Sequence, residues 1–190
     1  MNDFTDLWQA HLEKASAFQT IRELFEADEA ANLSDEQFDL CLSHLVSPYF
    51  EEAVNVERLP RPVVHYYASR RMELDVGNGG FAQAAYNMYE WFPAASDGYE
   101  AMGLPEAAAL IREANELAAS ERGAVGWLKR RGARISAVFD FFRKSSLAEL
   151  DADLASRLDS AGWWAQEPRL KYVRQNRDAF RSLESSSNVI

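Results

Sequence analysis

Apolar residues recur with helical spacing along almost the whole chain. Val64, Tyr67, Ala68, Met72 and Val76 fall at i, i+3, i+4, i+8 and i+12, which is one face of a helix. Phe81, Ala84, Ala85, Met88 and Phe92 repeat the pattern just downstream. Between them stands Gly77-Asn78-Gly79-Gly80, a stretch with access to positive φ. The spacing predicts two helices meeting at a corner, with Gly77 as a left-handed cap, Asn78 capping or bonding to the turn, and Phe81 plugged into the core. Gln83, Asn87 and Glu90 fall at i, i+4 and i+7 on a different face of the second helix.

The same patterning predicts a helix over 3–28, with Phe4, Trp8, Leu12 and Ala15, then Ile21, Leu24 and Phe25, as apolar stripes. Ser34 with Gln37 reads as a capping box opening a helix that buries Phe38, Cys41, Leu42 and Leu45. Pro48 predicts a fresh short helix to about Val56, and Leu59-Pro60-Arg61-Pro62 a break before the next. Pro93, Asp97, Gly98 and Gly103 predict a short connection with turns. Leu104-Pro105 opens a helix burying Ala107, Leu110, Ile111, Ala114, Leu117 and Ala118, which Gly123 and Gly126 loosen. Ile135, Val138, Phe139 and Phe142 form another stripe, Leu147–Leu158 a helix, Gly162 with Trp163-Trp164 an anchored turn, and Pro168 the start of a last helix. Strict alternation bounded by hairpin turns is missing, and no repeat of 20–50 residues appears. The expected architecture is an all-α single globular domain of about eight to ten helices over residues 1–190. Residues 1–30 read as an appended N-terminal helix and 185–190 as a frayed tail.

A length of 190 residues, 47% hydrophobic and 12% aromatic, suits one domain with a real core and argues against disorder. No apolar run reaches the roughly 18 residues of a membrane span. The first residues lack the basic and apolar regions of a signal peptide, and one cysteine excludes an internal disulfide framework. These readings predict a cytoplasmic protein.

Charge changes the picture. Residues 1–60 carry 13 acidic and 3 basic side chains, matching the whole chain's net −10, while residues 121–190 carry 9 and 13. Glu23, Glu26, Asp28, Glu29, Asp35, Glu36, Glu51, Glu52 and Glu57 form a candidate acidic interaction surface. The exit of the first helix is acidic, which the helix dipole disfavours. The alternative is a solvated face. Lys129-Arg130-Arg131-Gly132-Ala133-Arg134 is the only basic run, either a solvated loop or a contact for an acidic surface, including a second copy of this chain. Arg174, Arg177 and Arg181 line one face near the C-terminal end. The polarity predicts self-association as a homodimer.

No set of residues makes an active site. Gly-x-Ser-x-Gly, His-Glu-x-x-His and zinc-deaminase signatures do not occur, and the glycine stretch lacks the lysine and preceding strand of a phosphate loop. Cys41 and His44 lie one turn apart, but His11 and His65 supply no second ligand pair. Neither a catalytic set, a cofactor nor a metal is predicted. The glycine stretch itself has two readings: a tight helix corner, or a recognition spot presenting the amides of Asn78, Gln83 and Asn87.

The run Glu73-Leu-Asp-Val-Gly-Asn-Gly-Gly-Phe81-Ala-Gln83, with Asn87, after a helix carrying Tyr66-Tyr67, resembles a bacterial domain family of unknown function that includes the DNA-mimic proteins. Ala-Met-Gly-Leu-Pro at 101–105, Leu150-Asp151, and Tyr172 through Asn176 with Phe180 extend the resemblance over about Ala30 to Phe180. Its motif residues here are Asn78, Gly79, Gly80, Phe81, Gln83 and Asn87. The resemblance implies an all-helical fold, self-association and no known catalysis. It further implies a partner that is a basic, DNA-binding protein, with no direct binding of nucleic acid. The alternatives are an immunity-type or other partner-binding protein using the Asn-Gly-Gly-Phe corner, and an enzyme of unknown reaction.

Overall fold

The computed structural model describes residues 18–27, 31–51, 56–132, 147, 150 and 165–186; for 51, 120–130, 185 and 186 it describes the backbone. The described residues are mostly helical, and none is in a strand. They form α1 (Ile21–Glu26), α2 (Asp35–Glu51), α3 (Arg61–Met88), α4 (Phe92–Ala101), α5 (Pro105–Arg130), α6 (Gln166–Gln175) and α7 (Arg177–Ser186). Two 3-10 turns, Val56–Arg58 and Tyr89–Trp91, lie between them. The all-α class holds, and the expected count of eight to ten helices is slightly high against these.

The chain divides into two compact units, one of residues 1–67 and 166–190, the other of 68–165. In the first, α1 opens at Thr20, whose hydroxyl accepts from the Glu23 amide while the Glu23 carboxylate accepts from the Thr20 amide. This capping box ends the expected continuous helix over 3–28, because Phe18–Thr20 are not helical. The Ser34–Gln37 box forms as expected, with both reciprocal bonds present. The break expected at Pro48 does not occur, and α2 runs through it. Pro48 stands in the last described turn of α2, and Phe50, stacked on Tyr67 at 3.8 Å, holds that turn in the core. Ser47 Oγ donates to the Ser43 carbonyl beside it.

Aromatic edges close this unit: Phe25 meets Phe38 at 5.6 Å and Phe180 at 6.4 Å, and Tyr66 meets Phe180 at 5.6 Å. Its centre also holds an ion pair. Arg169 donates from Nε and Nη2 to the two oxygens of Asp39, at 3.2 and 2.9 Å, and the Tyr66 hydroxyl donates to Asp39 as well. Both charged side chains are at most 3% exposed. A pair this deep is held by hydrogen bonds that complete both groups. The expected last helix is two, parted at Asn176, whose side-chain amide donates to the Tyr172 carbonyl and whose own carbonyl accepts from Ala179.

In the second unit, Phe81, Phe92, Tyr99, Ile111 and Met72 are fully buried around a layer of alanines on α3, α4 and α5. The short connection expected around Pro93 and Gly98 is instead α4. Pro93 fits the first turn of a helix, where its missing N–H costs nothing. Gly98 is buried, on the helix that packs against α5, where Ser96 Oγ donates to the Ala108 carbonyl. The loosening expected at Gly123 and Gly126 also does not occur; α5 continues to Arg130 and turns at Gly132, φ 68°. The stripe at 135–142, Trp163-Trp164 and the tail at 187–190 lie outside the described residues, as does the 147–158 helix apart from buried Leu147 and Leu150.

Candidate functional site

The polar centre of the second unit is at the glycine stretch, and its organiser is Asp75. The backbone leaves helical geometry at two residues only, Gly79 (φ −167°, ψ 24°) and Gly80 (φ 72°, ψ −173°). Gly77 stays helical, so the left-handed cap expected there does not form; the positive φ is at Gly80, in a different conformation. At Gly80 the conformation belongs to glycine almost alone. Gly79 is extended and unstrained, but a Cβ there would stand 2.5 Å from Gln83 Oε1. Gly80 therefore supplies the turn, and Gly79 supplies room for the Gln83 side chain to lie across it.

Beyond the kink, Phe81 is fully buried, 6.3 Å from Phe92. Gln83 and Asn87, one turn apart, both reach back across the kink. Their side-chain NH2 groups donate to the same Asp75 Oδ1, at 3.3 and 2.8 Å. Asp75 thus clamps the two halves of α3 together. Its side chain is 6% exposed, and Arg71 Nε approaches Oδ2 at 3.4 Å. That approach does not make a hydrogen bond, and Oδ2 is buried without one. Asn78, expected to cap or to bond the turn, is exposed and makes no such bond among the described residues. Nearby, buried Glu73 accepts from the Tyr99 hydroxyl at 3.2 Å. Asp75 and Glu73 carry this centre; both lie in the run that carries the family resemblance, but neither was among the motif residues singled out there. The signal was present, since Asp75, Gln83 and Asn87 are spaced to meet only if the helix bends between them.

The acidic candidates are dispersed by role. Glu23 is consumed by its capping box, accepting from the Gln19 and Thr20 amides. Glu26 pairs with Arg181 and Asp35 with Arg174, so two of them tie α1 and α2 to the arginines of α7 and α6. Glu36 and Glu57 are exposed and unpaired among the described residues. Asp28, Glu29 and Glu52, and the side chain of Glu51, lie outside them. The charge polarity of the chain is therefore met partly within the first unit. Of the exposed carboxylates in the middle of the chain, Glu90 was placed only on a helix face with Gln83 and Asn87, and Glu106, Glu113 and Glu116 were not singled out. On α5, Glu106 and Glu113 share a face about 10 Å apart.

Cys41 is 1% exposed, and burial pushes its thiol above the usual value, with a backbone hydrogen bond pulling the other way. His44 is exposed. Among the described residues no three His, Cys, Asp or Glu are placed to hold a metal ion, and no helix is long and apolar enough to cross a membrane. Tyr172, bonded to His65 Nδ1 at 3.0 Å, is also raised by burial, with Arg61 opposing the shift.

These features define an all-α protein with a polar clamp at a glycine kink. The chain belongs to the DMP19-like protein family, whose model matches residues 57–176. No curated protein and no solved structure matched it. The matched span carries 16 acidic and 16 basic side chains, so the net −10 lies entirely outside it, in residues 1–56.

Proposed function

We propose that this chain is a non-enzymatic, cytoplasmic interaction protein of the DNA-mimic kind. In this reading its carboxylates occupy the DNA-binding face of a basic protein such as a transcription regulator. The observation that carries the reading is family membership joined to an acidic excess gathered into one stretch. Duplex DNA presents one charge per ~1.7 Å of axis, and a mimic must offer a comparable density of carboxylates to the same basic face. Residues 1–56 hold 12 acidic and 2 basic side chains, which supplies the number of charges. Family resemblance supports a homodimer as the working form.

Affinity capture from the host's lysate with the full chain tests the proposal. The expected partner is a basic DNA-binding protein, released as salt rises and displaced by duplex DNA. A partner that binds the chain and DNA together overturns it, as does capture of a nuclease or pore toxin, which is the immunity-type alternative. A specific observation favours keeping a second reading, recognition by the Asn-Gly-Gly-Phe corner: the carboxylate at its centre has an oxygen with no hydrogen bond.

A further inference from the structure

The clamp leaves acceptors over. A carboxylate offers about four acceptor positions. Asp75 uses Oδ1 for two amide donors, while Oδ2 is buried and makes no hydrogen bond. Gln83 and Asn87 each spend their NH2 group on Asp75, which leaves both side-chain carbonyl oxygens without a donor among the described residues. Gln83 Oε1 lies against exposed Gly79, 2.5 Å from where a Cβ would stand. The corner is thus a set of three unfilled oxygens with one negative charge and no spare donor. Such a set calls for a cation that carries several N–H groups.

We propose that this corner is a binding site for a guanidinium group, the side chain of an arginine presented by a partner protein. A guanidinium supplies five donors in a planar fork, enough to reach a carboxylate oxygen and two amide oxygens together, whereas an ammonium is a compact point charge. A metal ion is the poorer fit, with one carboxylate and no cluster of metal-ligating side chains among the described residues. Arg71 already sits at the edge of the site, its Nε 3.4 Å from Oδ2 without a hydrogen bond. Its side chain is 49% exposed and has solvent to move into. The incoming guanidinium takes the place Arg71 holds poorly. The site goes beyond the mimic reading and does not rest on it, because a small probe reads it without any partner.

The test titrates the isotope-labelled full chain with N-acetyl-arginine methylamide and follows the side-chain NH2 signals of Gln83 and Asn87 and the amides of Gly79 and Gly80. Saturable shifts with a Kd near 1 mM are expected, an affinity typical of one small polar group at a site of its own (roughly). Arg71→Ala is expected to tighten binding several-fold by removing the competing cation, Asn87→Ala to weaken it, and Asp75→Asn to abolish it. The matching lysine compound should bind several-fold more weakly. If Asp75→Asn does not fold, Arg71→Ala and Asn87→Ala decide the matter. Unchanged affinity in both overturns the site and leaves the cluster a clamp alone, as does the absence of any saturable shift in the wild type and Arg71→Ala. Binding of free arginine but not of the blocked compound overturns the protein-borne source.

Discussion

Gly79 and Gly80 are neighbours with different reasons to be glycine, and substitution separates them. At Gly80, φ 72° with ψ −173° excludes any side chain without strain of about 1–3 kcal/mol, more for a β-branched residue. Gly80→Val is expected to lower the melting temperature strongly. Gly79→Ala meets the Gln83 side chain, its movable Oε1 at 2.5 Å and its less movable Cβ at 3.0 Å. It should cost about 1 kcal/mol, the worth of the Gln83–Asp75 bond it displaces. Thermal melts of the two variants check the order, and equal losses contradict it. Cys41 gives a second readout at this scale. Burial holds its thiol neutral above the usual value of 9.0. The sign follows: the stability linked to the neutral thiol is complete below the unfolded thiol's value and is lost as pH rises through the folded one. Half-buried Tyr172 acts in the same direction higher up. Thiol-reagent labelling at about pH 8 should therefore be slow and rise only with denaturant, and the melting temperature should fall above about pH 9. Rapid labelling of the native protein contradicts this.

Among the elements, the sequence made the helices legible and their ends much less so. The periodic faces of α5 and of α3 beyond the kink are largely buried as their spacing demands. Before the kink, Val64, Tyr67 and Val76 are only half-buried, and Val63 and Tyr66 join Ala68 and Met72 in the core. The Ser34 cap stands where its residues put it. Most misses share one cause: proline and glycine read as breaks where packing carried the helix through. The interruptions before Ile21 and at Asn176 are the opposite, breaks that periodicity alone does not show. Pro48 sits inside α2, Pro93 and Gly98 inside α4, and Gly123 and Gly126 inside α5. In the candidate site the motif residues were visible, but Asp75 was not, because its role depends on a bend that periodicity does not reveal. Long-range pairs were hidden for the same reason. Arg169 and Asp39 are 130 positions apart and meet only in the folded unit. Arg169→Met leaves Asp39 buried without that charge and is expected to cost about 3–5 kcal/mol. Arg174→Met, which breaks an exposed pair with Asp35 at more than half exposure on both sides, should cost at most ~1 kcal/mol. Denaturant titrations of the two variants test the contrast, and similar losses refute it.

For the molecule as a whole, the division of charge decides which surface a partner should meet. The family-matched span is balanced, and the excess lies in residues 1–56. Within that excess, Glu23, Glu26, Asp35 and Asp39 are engaged by caps and arginines, so they hold the fold and are poor mimics of free phosphates. Of the eight others, the set chosen to neutralise is Asp28, Glu29, Glu36, Glu51 and Glu52. Changing them to Asn or Gln removes charge and keeps shape. If the mimic reading is right, this variant melts like the wild type, loses most of its affinity for the captured basic protein, and shows a flatter dependence on salt. Glu106→Gln, Glu113→Gln and Glu116→Gln, made together on α5, should change affinity little, since an equal number of basic side chains surrounds them in the matched span. If the proposed homodimer is held by contacts other than these carboxylates, light scattering at ~0.15 M salt, where charges beyond ~8 Å are largely screened, should show both variants and the wild type as dimers. The reverse pattern of affinities, with the α5 set weakening the complex and the N-terminal set leaving it intact, moves the partner surface onto the family's own span. Unchanged binding in both sets removes the electrostatic reading and leaves the glycine corner as the place where a partner is recognised.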